Sequence, residues 1–162
     1  AGRGQSRLFC HADCRLPAGW RQPVVSALRR PGVVGGSFLV RLLPARSILH
    51  LLNRLWYPPD WRLMYGDQAQ FMTREAFQRV GGFPEIPAME DLEMMRRLHQ
   101  LGQLVRIPLR VTSSSRRFLE RRPLRQFWLD VRLVIRYLYL GATAEEIARA
   151  YHTTARDRGV VP

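Results

Sequence analysis

Two short acidic segments carry the residues best suited to chemistry. His11-Ala12-Asp13 closes a strand-like run, Arg7-Leu8-Phe9-Cys10. Ligands of α/β sheets gather beyond the carboxyl ends of strands. Asp13 is therefore placed to hold Mg²⁺ or Mn²⁺ jointly with a diphosphate, although a surface Asp capping a turn has the same local pattern. Strand alternation sets His11 and Asp13 on one face and Cys10, Ala12 and Cys14 on the other, which makes a zinc site from these residues poor. The second segment, Glu90-Asp91, opens a helix after Pro84-Glu85-Ile86-Pro87. Asp91, Met94, Met95 and Leu98 share one helical face, turning Asp91 inward, while Glu93 and Arg97 pair at i,i+4 on the wet side. The helix dipole alone accounts for acids in a first turn. It also favours an ionised Asp91, available as a base wherever close positioning offsets its low basicity.

Three further segments are weaker. Tyr65-Gly66-Asp67-Gln68 is a turn signal in which Asp67 and Gln68 can hydrogen-bond sugar hydroxyls. Trp56, Tyr57, Trp61 and Tyr65 suit either stacking on sugar faces or fastening a long loop to the core. In Thr112-Ser113-Ser114-Ser115-Arg116-Arg117-Phe118, the two guanidinium groups can clamp phosphate oxygens or stand in solvent. Beyond Pro123, Leu124, Phe127, Trp128, Val131, Ile135 and Leu138 form an apolar stripe, with Arg125, Arg132 and Arg136 elsewhere. Such a helix packs on its own domain or lies on an anionic membrane surface.

These candidates need rigid elements to hold them. A strand is expected at Arg7–Cys10 and a helix from Pro23 to Arg30. A second strand over Val33–Leu43 carries a bulge or close approach at Gly35-Gly36. A helix over Ser47–Trp56 stops at Pro58-Pro59. Then come a strand over Gln68–Thr73, a short helix over Arg74–Val80 closed by Gly81-Gly82, and a helix over Met89–Leu101 capped by Gly102. An extended run over Leu104–Ser113 is broken by Pro108, and helices over Pro123–Leu140 and Thr143–Arg156 finish the chain. Alternating strands and helices argue an α/β fold.

The 162 residues include 26 basic and 13 acidic side chains, for a net charge of +13, and every basic residue is Arg. Total exclusion of Lys points to a compositional bias of the whole chain more than to a nucleic-acid surface, so no nucleic-acid partner is expected. The charge still draws anions such as sugar nucleotides and acidic lipid. No apolar run reaches the ~18 residues of a membrane span. Two cysteines, Cys10 and Cys14, are too few for a disulfide framework, and a reducing compartment is the simpler reading.

Taken in order, His11-Ala12-Asp13, Gly35-Gly36, Gly66-Asp67-Gln68, Gly81-Gly82-Phe83-Pro84, Met89-Glu90-Asp91 and Ser115-Arg116-Arg117-Phe118 resemble family 2 glycosyltransferases of the GT-A fold. The likeness is nearest to the bacterial radical-SAM/selenodomain-associated transferases and runs from about Arg7 to Tyr151. It implies the C-terminal portion of a GT-A fold, a mixed sheet flanked by helices with C-terminal amphipathic helices. The expected division is a partial catalytic domain over 1–120 and a helical extension over 121–162. It further implies an inverting glycosyltransferase using a nucleotide-sugar donor and an unidentified acceptor hydroxyl, lipid-linked acceptors included. Asp91, preceded by Glu90, takes the place of the catalytic base, and Asp13 with His11 that of the divalent-metal site (Mg or Mn). Asp67 and Gln68 take the place of the segment lining the substrate cleft, and Arg116 and Arg117 that of a basic motif near the diphosphate. The family's Gln-x-x-Arg-Trp form is absent here. The family's opening strand, sugar-nucleotide loop and second Asp-bearing strand are also absent, so the sequence reads as a fragment expected to bind donor poorly by itself. The implied location is cytoplasmic, with peripheral contact at the inner membrane face as an option. A non-catalytic membrane-surface or scaffold module is the alternative, and a basic nucleic-acid binder a more distant one.

Overall fold

The computed structural model describes residues 5–43, 58–114 and 123–156, with the side chains of 123–127 and 152–156 excepted. It is an α/β structure that divides into two compact units, Ala1–Pro84 with Asp91–Ser115, and Glu85–Glu90 with Arg116–Pro162. The expected helix over Ser47–Trp56 lies outside the described residues.

The first unit is built on five strands: β1 (Ser6–Phe9), β2 (Cys14–Arg15), β3 (Val33–Leu43), β4 (Gln70–Thr73) and β5 (Gln103–Ser114). They form one mixed sheet in the order β1-β4-β3-β5-β2. Only β3 and β5 run parallel; β4 is antiparallel to β1 and to β3, and β2 is antiparallel to β5. Three helices join it, α1 (Arg21–Leu28), α2 (Arg74–Arg79) and α3 (Glu90–Leu101).

Consecutive residues of a strand face opposite sides, and β4 shows what each side packs on. Phe71 joins a buried cluster with Val24 and Ala27 of α1 and Phe38, Ile107 and Val111. Its neighbour Met72 joins Ala76 of α2 and Met94, Met95 and Leu98 of α3. The sheet is therefore covered on both faces, which explains the nearly continuous apolar run of β3. Each fully buried Met or Leu of α3 contributes roughly 1.5–3 kcal/mol of burial.

The expected close approach at Gly35-Gly36 is present. A Cβ on Gly36 would stand 1.9 Å from the Val105 carbonyl oxygen, and the β3–β5 register shifts between Val33 and Gly35. Pro108 does not break β5. The strand instead bulges there, Phe38 pairing with Ile107 and Leu39 with Arg110, so the missing N–H costs no ladder bond. Gly102 ends α3 for a different reason from the one expected. It takes no positive φ, but a Cβ would stand 2.6 Å from the Gly32 carbonyl oxygen.

The second unit contains α4 (Pro123–Tyr139) and α5 (Ala144–Arg156), which pack on each other. Leu133, Ala144, Ile147 and Ala148 are buried. Thr143 and Glu146 cap α5 reciprocally, the Thr143 N–H reaching Glu146 Oε2 at 2.9 Å and the Glu146 N–H reaching Thr143 Oγ1 at 3.3 Å.

Candidate active site

Antiparallel pairing of β1 with β4 sets Phe9 opposite Gln70. The residues that follow β1 and those that precede β4 consequently meet at one end of the sheet. His11 to Asp13 form a tight turn, closed by the Cys14 N–H on the His11 carbonyl at 3.0 Å. His11 Nδ1 lies 2.6 Å from Asp13 Oδ1. The two side chains do share a side, but through this turn and not through strand alternation, because β1 has already ended. For the same reason Cys14 is not turned away from them, and its thiol donates to Asp13 Oδ1 at 3.4 Å and to the Asp67 carbonyl at 3.6 Å. Burial chiefly, with the Asp13 and Asp67 carboxylates adding, pushes the Cys14 thiol up to about 12, so it stays protonated.

The turn signal at Tyr65–Gln68 corresponds to a single 3₁₀ turn over Gly66–Gln68, and β4 begins at Gln70, not at the expected Gln68. It is held from below by Arg106 of β5. That guanidinium donates to Gln68 Oε1 at 2.6 Å, Ser37 Oγ at 3.3 Å, the Phe38 carbonyl at 3.2 Å and the Leu63 carbonyl at 2.9 Å. Ser37 also donates to Gln68 Oε1, at 3.2 Å. Gln68 is only 3% exposed. Its amide oxygen is thus engaged inside the protein, and its part is to fix the turn that presents Asp67. Nothing in the spacing of the sequence singles out Arg106; its one signal is a cation in the otherwise apolar opening of a strand.

Asp91 enters from the first turn of α3. Its Oδ2 accepts the Gly66 N–H at 2.6 Å and its Oδ1 the Leu92 N–H at 2.7 Å. Gln70, buried in β4, donates to the Asp91 carbonyl at 3.1 Å and to the Met64 carbonyl at 3.0 Å, tying the helix start to the same loop. The inward face expected for Asp91, Met94, Met95 and Leu98 is present, the last three being fully buried. Glu93 departs from expectation. It is 7% exposed, not on the wet side, and is gripped by Arg96 at 2.7 and 2.8 Å and by Arg97 at 2.9 Å. Those guanidinium groups, Arg96 first, hold its carboxyl below the usual range. Among the described residues, only two non-glycine residues take positive φ, Ala69 (49°) and Met89 (63°). One follows the Gly66–Gln68 turn and the other stands two positions before Asp91. Strain of this kind concentrates at functional positions.

The three carboxylates act on one another. Burial first, then the Asp91 and Asp13 charges, push Asp67 up to about 6, against a smaller opposing effect of His11. Asp67 Oδ1 is buried without a hydrogen-bond partner. An unpartnered, buried carboxylate oxygen suits a donor hydroxyl or a cation. Among the described residues no group of three or more His, Cys, Asp or Glu side chains is gathered to hold a metal by itself. Mg²⁺ or Mn²⁺ shared with a diphosphate needs only one or two carboxylates; Asp13 is an exposed one, with its Oδ1 held 2.6 Å from His11 Nδ1. Glu90 is exposed at the start of α3. Arg116 and Arg117, and the aromatic residues Trp56 and Tyr57, lie outside the described residues. Trp61 fastens its loop, stacking on His99 at 6.5 Å between ring centroids and packing against the α3 side of the core.

Comparison with family models, curated proteins and solved structures found no match to this chain.

Proposed function

We propose that this protein is the acceptor and metal half of an inverting glycosyltransferase, acting on a nucleotide-sugar donor and an acceptor hydroxyl. The observation that carries the reading is that three acids from separate segments of chain are tied together at one end of a mixed sheet: the Cys14 thiol donates to both Asp13 Oδ1 and the Asp67 carbonyl, and Asp91 Oδ2 accepts the Gly66 N–H. Their order along the chain follows the family resemblance, and the strand-tip and helix-start positions are those that the chemistry needs.

Asp91 is the base. Its two oxygens are oriented by the backbone N–H groups of Gly66 and Leu92, which fix the carboxylate on the first turn of α3. As Asp91 takes that proton, the acceptor oxygen bonds to the anomeric carbon. The bond from that carbon to the diphosphate oxygen breaks, the electron pair leaving with the diphosphate, and configuration inverts. Asp67, on a turn locked by Arg106, is placed to bind sugar hydroxyls. A divalent cation on Asp13, with His11 beside it, would supply neutralisation of the leaving diphosphate.

The test is calorimetric binding of nucleoside diphosphates in the presence and absence of Mn²⁺ by a form of the enzyme that also carries the family's donor-binding strands, with release of sugar from matched donors as the activity readout. Asp13→Ala is expected to lose the Mn²⁺-dependent binding. Asp91→Asn is expected to keep it while losing turnover by about 10²-fold or more. Unchanged Mn²⁺ dependence in the first variant, or near-normal turnover in the second, refutes the assignment of that residue.

A further inference from the structure

The outward face of α4 is not explained by the fold. Trp128, Ile135 and Tyr139 are 65%, 44% and 65% exposed, and Leu140, just past the helix, is 70% exposed. Positions 128, 132, 135 and 139 are spaced i, i+4, i+7 and i+11, so these side chains and Arg132 form one stripe. The opposite side carries the buried Leu133. Arg132 is exposed in the middle of the stripe and Arg136 flanks it. The sequence 116–139 holds seven arginines against two acids.

We infer that this face of α4 is a docking surface for an anionic lipid bilayer, on which the helix lies flat. Charge complementarity selects the occupant. Trp and Tyr have an apolar body and a polar tip suited to the headgroup boundary, and the arginines among them meet acidic headgroups while their stems stay in contact with the acyl boundary. A second copy of the chain docking through the same stripe would set Arg132 against its own symmetry mate. Nucleic acid would take the cations but leave Ile135 and Leu140 without purpose. No helix among the described residues is long and apolar enough to cross a membrane, so the contact is with the surface.

The inference does not depend on glycosyl transfer, and its test uses no turnover. The full chain is sedimented with phosphatidylglycerol-rich vesicles and with pure phosphatidylcholine vesicles, beside a Trp128→Ser, Ile135→Ser, Tyr139→Ser variant that keeps every charge. The wild type is expected to bind the anionic vesicles and the variant to bind them about tenfold or more weakly. Wild-type emission is expected to shift to the blue on binding, a shift lost in Trp128→Phe. Because the altered side chains are exposed, circular dichroism is expected to be unchanged, and Arg132→Gln gives an independent weakening that salt reduces. Equal vesicle binding by wild type and triple variant overturns the inference, since attraction of the net charge then suffices. So does a wild-type dimer that the triple variant dissociates, or a loss of single-stranded DNA binding in the variant while vesicle binding persists.

Discussion

Replacing Asp67 by Asn tests whether folding raises the proton affinity of this buried carboxyl. Asp67 rises from 3.8 to about 6 on folding, through burial and then the charges of Asp91 and Asp13. A carboxyl whose affinity for its proton is higher folded than unfolded makes the folded state bind more protons between those two values. Stability therefore falls as pH rises through that window, and the full penalty is present above about pH 7. The rise corresponds to up to about 3 kcal/mol, of which about 2 kcal/mol develops between pH 4.5 and pH 7.5. Asn keeps the shape and removes the charge. The stability of Asp67→Asn relative to wild type, from urea unfolding of the full chain, is thus expected to improve by about 2 kcal/mol across that range. Adding Mn²⁺ with a nucleoside diphosphate should narrow the gap by stabilising wild type. A difference that stays constant within about 0.5 kcal/mol from pH 4.5 to pH 7.5 would show that folding does not raise the proton affinity of Asp67, and that neither its burial nor the charges of Asp91 and Asp13 act on it as argued.

Two other perturbations probe the scaffold. Arg106→Leu removes the donor that satisfies buried Gln68 and should cost about 3 kcal/mol in unfolding free energy; it should also speed hydrogen exchange at the Gly66 amide, whose acceptor is Asp91. Glu93→Gln should cost about 2 kcal/mol at neutral pH by weakening two arginine pairs. Because the Glu93 carboxyl is held below its ordinary value of 4.5, that cost should be full above 4.5 and shrink in urea titrations as pH falls below it.

Much of the site was legible because its parts are local. The spacing of Asp91 from Met94, Met95 and Leu98 turns it inward, whereas strand alternation sets His11 and Asp13 on one side for a reason that the turn after β1 replaces. What could not be read was the identity of the neighbour across space. Gln68 looked like a sugar-binding residue because it follows Asp67, yet Arg106, thirty-eight positions away, occupies its amide oxygen. Its i,i+4 spacing from Arg97 points Glu93 toward water, yet the packing of α3 buries the Glu93 carboxylate while Arg96 and Arg97 reach it from the exposed side.

Periodicity and breaker residues in the sequence determined most of the described helices and strands, since these depend on backbone preferences within a few residues; the short β2 at Cys14–Arg15, which exists only by pairing with β5, was not among them. Only the tertiary structure decided that β1 pairs with β4 at one end of the sheet, that Gly102 is needed for close approach to Gly32, and that Asp67 holds its proton to about pH 6. Those properties arise from charges and surfaces supplied by distant segments, and spacing along a chain says which way a side chain points without saying what waits there.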